Sequence, residues 1–174
     1  HLSLPPPIAG ETHGKRETFN QQRGFIAGER RDDPLCRALA LAFQAPETVE
    51  RLATHCGAAL GGTSLRIEYC QDTGGFWLEP HTDIGAKRFT MLIYLSEGPE
   101  AADWGTDLYD GALAPAGRAP AGFNRGLIFV PGTDTWHGFR PRDIRGVRRS
   151  LIVNYVGPEW RARHELAFPA APVA

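Results

Sequence analysis

Hydrophobic positions change their spacing near Gly62. Downstream of it, Leu65, Ile67 and Tyr69 alternate with Arg66, Glu68 and Cys70, the period-2 pattern of a strand. Similar short runs follow at Phe76–Leu78, Phe89–Ser96, Thr106–Tyr109, Leu127–Val130, Trp136–Phe139 and Val147–Val156. Turns such as Asp72-Thr-Gly-Gly75, Pro131-Gly132 and Gly157-Pro158 separate them. Upstream the spacing is helical. Asp33 is placed to cap a helix with Pro34 at its first position, and Leu35, Leu39, Ala42 and Phe43 form its stripe. A second helix opens at Pro46 and carries Val49, Leu52, Ala53 and Cys56 on one face before the Gly57–Gly62 region ends it. One further strand is expected within Thr18–Ala27, and a short closing helix at Glu159–Leu166. Roughly seven or eight short strands at this spacing predict a mainly β sandwich or jelly-roll barrel, with two N-terminal helices covering one sheet.

Composition sharpens this picture. The chain has 174 residues, enough for one domain with a real core, so 1–174 reads as a single domain with its core at about 62–157. Its 20 glycines and 14 prolines, about a fifth of the positions, suit turns between strands and argue against a helical bundle. The formal net charge of −1 offers no basic field for nucleic acid, so no nucleic-acid partner is expected. No uncharged apolar run approaches the roughly 18 residues of a membrane span. The stretch 2–8 is broken by Pro5, Pro6 and Pro7 and has no basic start, unlike a signal peptide. Cys36, Cys56 and Cys70 are an odd set without CxxC spacing, which fits reduced thiols and a cytoplasmic location.

The chemistry concentrates at three places. In His81-Thr-Asp83 an imidazole and a carboxylate two residues apart project from one face of an extended segment, where both can reach one metal ion. His137, after the Pro131-Gly132 turn and directly following Trp136, is the candidate third ligand. Two histidines and one carboxylate form the facial set of non-haem Fe(II) oxygenases, although zinc accepts the same donors. The third place is Arg148-Arg-Ser150. Arg148 and Ser150 share a strand face, Arg149 takes the other, and the pair can grip the distal carboxylate of a diacid whose other end chelates the metal.

HxD, a distant His and a following RxS, in this order, resemble the Fe(II)/2-oxoglutarate-dependent dioxygenase superfamily, in particular its compact prolyl-hydroxylase-like branch. The resemblance spans about Leu65–Val156 and includes Gly74-Gly75 with Glu79-Pro80-His81, Tyr94-Leu95-Ser96 and Gly105-Thr106-Asp107-Leu108. It implies a double-stranded β-helix (jelly roll, cupin-like). It further implies Fe(II) on His81, Asp83 and His137, and 2-oxoglutarate on Arg148, Ser150 and Tyr94. The implied activity consumes O2 and 2-oxoglutarate, releases succinate and CO2 and most often hydroxylates a prime substrate, with ascorbate a candidate reductant. Because a halide can take the metal position where the carboxylate is absent, Asp83 favours hydroxylation over halogenation. Leu78 stands where that branch often has an aromatic residue, which argues against a prolyl-peptide substrate. The prime substrate is left open among a small molecule, a sugar and a protein side chain.

Two alternatives stand beside this reading. A cupin-like metal-binding protein without oxygenase activity would use the same triad and have no need of Arg148 and Ser150. A non-catalytic β-sandwich would use neither. Arg140, Arg142, Arg145, Arg148 and Arg149 crowd one segment, which reads as a solvated loop or, at the pocket mouth, as a site for an anion. Trp104 is expected to border the pocket mouth, and His1, His13, His55 and His164 carry no assigned role.

Overall fold

The structure is a computed structural model and describes residues 20–83 and 85–174. The expectations placed on His1, His13 and the stretch 2–8 lie outside them. Among the described residues, nine strands form two antiparallel sheets. The larger takes the order β1-β2-β9-β4-β7, from β1 (Gln21–Phe25), β2 (Ser64–Asp72), β9 (Arg148–Val156), β4 (Lys87–Tyr94) and β7 (Arg125–Phe129). The smaller takes the order β3-β8-β5-β6, from β3 (Leu78–His81), β8 (His137–Phe139), β5 (Asp107–Tyr109) and β6 (Pro115–Arg118). Two helices, α1 (Pro34–Gln44) and α2 (Pro46–Cys56), complete the mainly β, jelly-roll architecture.

Both helices begin and end for local reasons. The Asp33 carboxylate accepts from the backbone N–H groups of Leu35 and Cys36, and Pro34 occupies the first turn. Gly57 closes α2 in the left-handed region, with φ of 64°. The helices cover the outer face of the larger sheet. Cys36, Ala40 and Val49 cluster there with Leu65 and Ile67 of β2, Phe89 of β4, and Val153 and Tyr155 of β9. Tyr155 ties sheet to helix, its hydroxyl donating to the Phe43 carbonyl at 2.6 Å.

The opposite face of the same strands looks toward the smaller sheet and is largely polar. Register sets Asp72 beside Arg148, Cys70 beside Ser150, and Arg66 beside Asn154. On the far side of β9, Tyr94 lies beside Ser150 and Thr90 beside Asn154. Apolar clusters close the space between the sheets. One joins Leu92 and Tyr94 to Ala119, and another joins Phe76, Trp104, Phe139 and Ile144.

Three expectations change. The closing helix at Glu159–Leu166 is only a 3-10 turn, Arg163–Glu165, because Leu166 turns back to bridge Arg66 and the Ala167 N–H donates to the Leu65 carbonyl. The Ala/Pro/Gly-rich stretch 111–122, where the hydrophobic spacing predicts no strand, contains β6, which is exposed and depends on pairing with β5. The strand expected at Phe76–Leu78 runs instead over Leu78–His81, so it ends on the candidate ligand itself. Among the described residues, no helix is long and apolar enough to cross a membrane.

Phe89 is fully buried and meets Tyr155 edge-on, with ring centroids 5.6 Å apart. Phe89→Ala is expected to cost about 3–5 kcal/mol through the lost transfer energy and the cavity it leaves. Tyr155→Phe, which removes only the bond to Phe43, should cost about 1 kcal/mol. Urea denaturation of both variants against the wild type checks the ranking.

Candidate active site

The three candidate ligands meet because β3 and β8 pair with His81 directly opposite His137. Gly138 permits that approach. A β-carbon there would lie 2.7 Å from the Leu78 carbonyl oxygen and 3.0 Å from that of Glu79. Asp83 follows His81 by two residues. Donor atoms of His81, Asp83 and His137 all lie within 4.8 Å of one another. His137 is buried and the other two are half-buried.

Each imidazole is oriented from behind. His81 Nδ1 lies 2.9 Å from the Glu79 carbonyl oxygen, and His137 Nδ1 lies 2.9 Å from that of Thr135. A carbonyl only accepts, so the nitrogen facing it, Nδ1, is the one that donates a proton, and Nε2 is the ring nitrogen left to bind a metal. Asp83 is held at both oxygens: Lys87 Nζ donates to Oδ1 at 2.6 Å and the Thr90 hydroxyl to Oδ2 at 2.7 Å. Burial opposes ionisation of Asp83. The Lys87 ammonium and the Thr90 hydroxyl outweigh it and hold the carboxyl below its ordinary value. Two oriented imidazoles and one carboxylate are a donor set that fits a divalent metal ion.

Arg148 and Ser150 line the same cavity, which measures about 280 Å³. Both are buried, whereas Arg149 between them is exposed, as alternation requires. Arg148 is pinned on several sides. Its Nη1 donates to Asp72 and its Nε to the Trp104 carbonyl at 2.7 Å, and its guanidinium carbon lies 4.8 Å from the Phe139 ring centroid. Asp72 is itself fixed by Gln21 at 2.7 Å. Desolvation raises the Asp72 carboxyl above its ordinary value, against the pull of Arg148 and Gln21. The Tyr94 hydroxyl donates to the Thr106 hydroxyl at 2.9 Å and accepts from the Thr106 N–H at 3.1 Å. Thr106, rather than Tyr94, faces the cavity.

A second charged group lines the cavity and has no counterpart in the sequence reading. Arg66 donates through Nε to Glu165 at 2.6 Å and through Nη1 to Asn154 at 3.0 Å, and its Nη2 pairs with Glu68 at 2.8 Å. Its guanidinium lies 4.7 Å from the Phe25 ring and 5.1 Å from the Trp160 ring. Burial works against the Glu68 carboxylate, but Arg66, Arg23 and Lys87 surround it and hold its carboxyl below the ordinary value. A strand reading Leu-Arg-Ile-Glu looks half-solvated from pattern alone. Only a second layer over its polar face reveals otherwise.

The arginine-rich segment does not act as one group. Arg142 pairs with buried Asp107 over the Phe139 ring, Arg145 is exposed beside Asp143, and Arg148 is buried. Trp104 does not border the mouth. It is packed with Phe76 and Phe139, its indole N–H donates to the Asp143 carbonyl, and Trp77 and Trp160 line the cavity instead.

The fold is that of solved 2-oxoglutarate/Fe(II) oxygenases of the prolyl-hydroxylase type. A prolyl-4-hydroxylase from Pseudomonas putida superposes with a TM-score of 0.60 at 19% identity, over 86% of this chain and 76% of that one. An oxidoreductase of the 2OG-Fe(II) oxygenase family from Burkholderia pseudomallei gives 0.60 at 13% identity, over 80% and 70%. A prolyl hydroxylase from Trichoplax adhaerens, solved with a peptide fragment of hypoxia inducible factor, gives 0.53 at 17%, over 78% and 62%. No protein-family model and no curated protein sequence matches the chain.

The charge pairs make a pH prediction. Because the folded-state pKa of Glu68 lies below its unfolded value, its contribution to stability is complete above about pH 5 and disappears as pH falls through the folded value. Glu68→Gln should cost roughly 3–5 kcal/mol near neutrality, since it leaves buried Arg66 partly unpaired. The variant should then lose less additional stability than the wild type on acidification. Thermal melts across the acidic range check both parts.

Proposed function

We propose that this protein is an Fe(II)- and 2-oxoglutarate-dependent dioxygenase that hydroxylates a substrate. One observation carries the reading: an oriented His81–Asp83–His137 cluster shares a small cavity with a buried arginine, Arg148, and a buried serine, Ser150. Metal and co-substrate, when bound, supply the O2-dependent oxidation that yields succinate, CO2 and the hydroxylated product.

The chain contributes position, charge and dryness. His81 and His137 present Nε2 with no rotamer search, because the Glu79 and Thr135 carbonyls hold their rings. Lys87 and Thr90 keep Asp83 ionised and aimed. Arg148 has two of its donor nitrogens engaged by Asp72 and Trp104, so it meets the distal carboxylate of 2-oxoglutarate through its remaining nitrogen. The Ser150 hydroxyl adds a second donor, and Tyr94 braces the wall through Thr106. Leu92, Ile152 and Phe139 exclude water around this end.

Anaerobic addition of Fe(II) and 2-oxoglutarate should produce a visible metal-to-ligand charge-transfer band. His81→Ala should abolish metal binding. Arg148→Ala should leave metal binding in place and weaken 2-oxoglutarate about 10- to 100-fold, the loss of one or two charge-assisted hydrogen bonds. A protein that binds metal but gives no band, or a band indifferent to Arg148→Ala, would instead be a cupin-like metal-binding module without oxygenase activity.

A further inference from the structure

Lys87 and Thr90 are three residues apart on β4, and in an unbroken strand such residues face opposite ways. A bulge removes the conflict. Lys87 pairs with Val156 and Phe89 with Tyr155, so β4 uses one residue more than β9 over this step, and Arg88 is the extra one. Phe89 keeps the outer face, in the core under the helices, while Lys87 and Thr90 both turn into the cavity. Arg88 reaches the Gly85 carbonyl and Glu159 instead. The bulge thus gives Asp83 two donors from one strand, Lys87 on Oδ1 and Thr90 on Oδ2.

The direction of the Thr90 bond is set from further away. Arg66 Nη1 donates to Asn154 Oδ1 at 3.0 Å, and a guanidinium only donates, so the amide oxygen must face it. The amide NH2 therefore faces Thr90, where Nδ2 donates to the hydroxyl oxygen at 3.0 Å. With Thr90 accepting there, its own proton points to Asp83 Oδ2, 2.7 Å away. Arg66, Asn154 and Thr90 are all buried, so little water competes for these groups. Arg66 is itself anchored by Glu68 and Glu165. A one-way chain of hydrogen bonds runs from that anchor to the candidate metal ligand.

We infer that Arg66, Asn154 and Thr90 form a positioning relay that, opposite Lys87, holds Asp83 to one-oxygen ligation and so keeps a metal position open for the co-substrate. The inference rests on the oxygenase reading above and adds the residues that govern one of its ligands. A carboxylate that brings its second oxygen onto the metal fills a position that a bidentate co-substrate needs. For Asp83 that rotation breaks a charge-assisted bond to a donor fixed on β4, and the relay leaves the Thr90 proton no other direction. The relay also gives the buried Arg66 network, which touches none of the three ligands directly, a role at the metal site.

The test uses the full chain with Mn(II), which is inert to turnover, and measures Mn(II) and 2-oxoglutarate affinity separately by calorimetry. The charge-transfer band of the anaerobic Fe(II) protein is a second readout. Thr90→Val removes the donor with little change of shape. Asn154→Asp, at about pH 8 where a carboxyl beside Arg66 is ionised, keeps a partner for Arg66 but only accepts, so the Thr90 hydroxyl turns to it and leaves Asp83. Both variants should bind Mn(II) within about threefold of the wild type and 2-oxoglutarate about tenfold more weakly, with a weaker band, the loss of one hydrogen bond to a charged group. Thr90→Ser, which returns the hydroxyl, should recover most of the co-substrate affinity. Co-substrate affinity that is unchanged in Thr90→Val, or that falls only in step with Mn(II) affinity and melting temperature, overturns the positioning role while the oxygenase reading stands. If Asn154→Asp does not fold, the Thr90→Val and Thr90→Ser pair decides the matter. Failure of the wild type to bind Mn(II) or 2-oxoglutarate overturns the oxygenase reading instead.

Discussion

Apart from the end that carries exposed Arg149, strands β2 and β9 are covered on both faces, and the two faces are covered by different means. The outer face is apolar and packs under α1 and α2. The inner face carries Arg66, Glu68, Asp72 and Arg148 into the space between two sheets. Charges taken out of water at that depth are tolerable only when paired and hydrogen-bonded. Each one therefore has a fixed partner: Asp72 for Arg148, and Glu68 and Glu165 for Arg66. This constraint turns a sheet into a site, because it locks long side chains that would otherwise sample many rotamers.

The smaller sheet contributes the complementary half. It is short, and its work is register: β8 closes on β3 so that two histidines face each other with a glycine between them and the neighbouring backbone. Backbone carbonyls then set both ring orientations. The oriented donors come from short strands and their turns, while the charge that balances them comes from the larger sheet. Asp83 joins the two, bonded to Lys87 and Thr90 of β4.

Much of this was legible from residue order. Pattern period located the helices within a residue or two, because the Asp33 cap and the two prolines are local signals. His81 and Asp83 share a face by strand geometry, and Arg148 and Ser150 do so for the same reason. What escaped were groups whose meaning depends on a second layer. Arg66 and Glu68 look solvated in a strand that alternates with leucine and isoleucine, yet a turn from the C-terminal segment, Glu165 and Trp160 included, covers them. Asp72 looked like a turn residue and is the buried partner of Arg148. Trp104 seemed destined for the mouth and instead fills a core behind it.

By itself the sequence determined the kinds of element, the phase of each strand and which side chains can act together over two residues, since these follow from backbone periodicity and local capping. Tertiary structure decided which cations remain available. Arg142 is paired with Asp107, Arg66 with two glutamates, Lys87 with Asp83 and Arg148 only in part with Asp72. An arginine count cannot make that distinction. Whether a charge is neutralised depends on what lies within a few ångströms of it in a poorly solvated space, and those neighbours come from strands far apart in the chain.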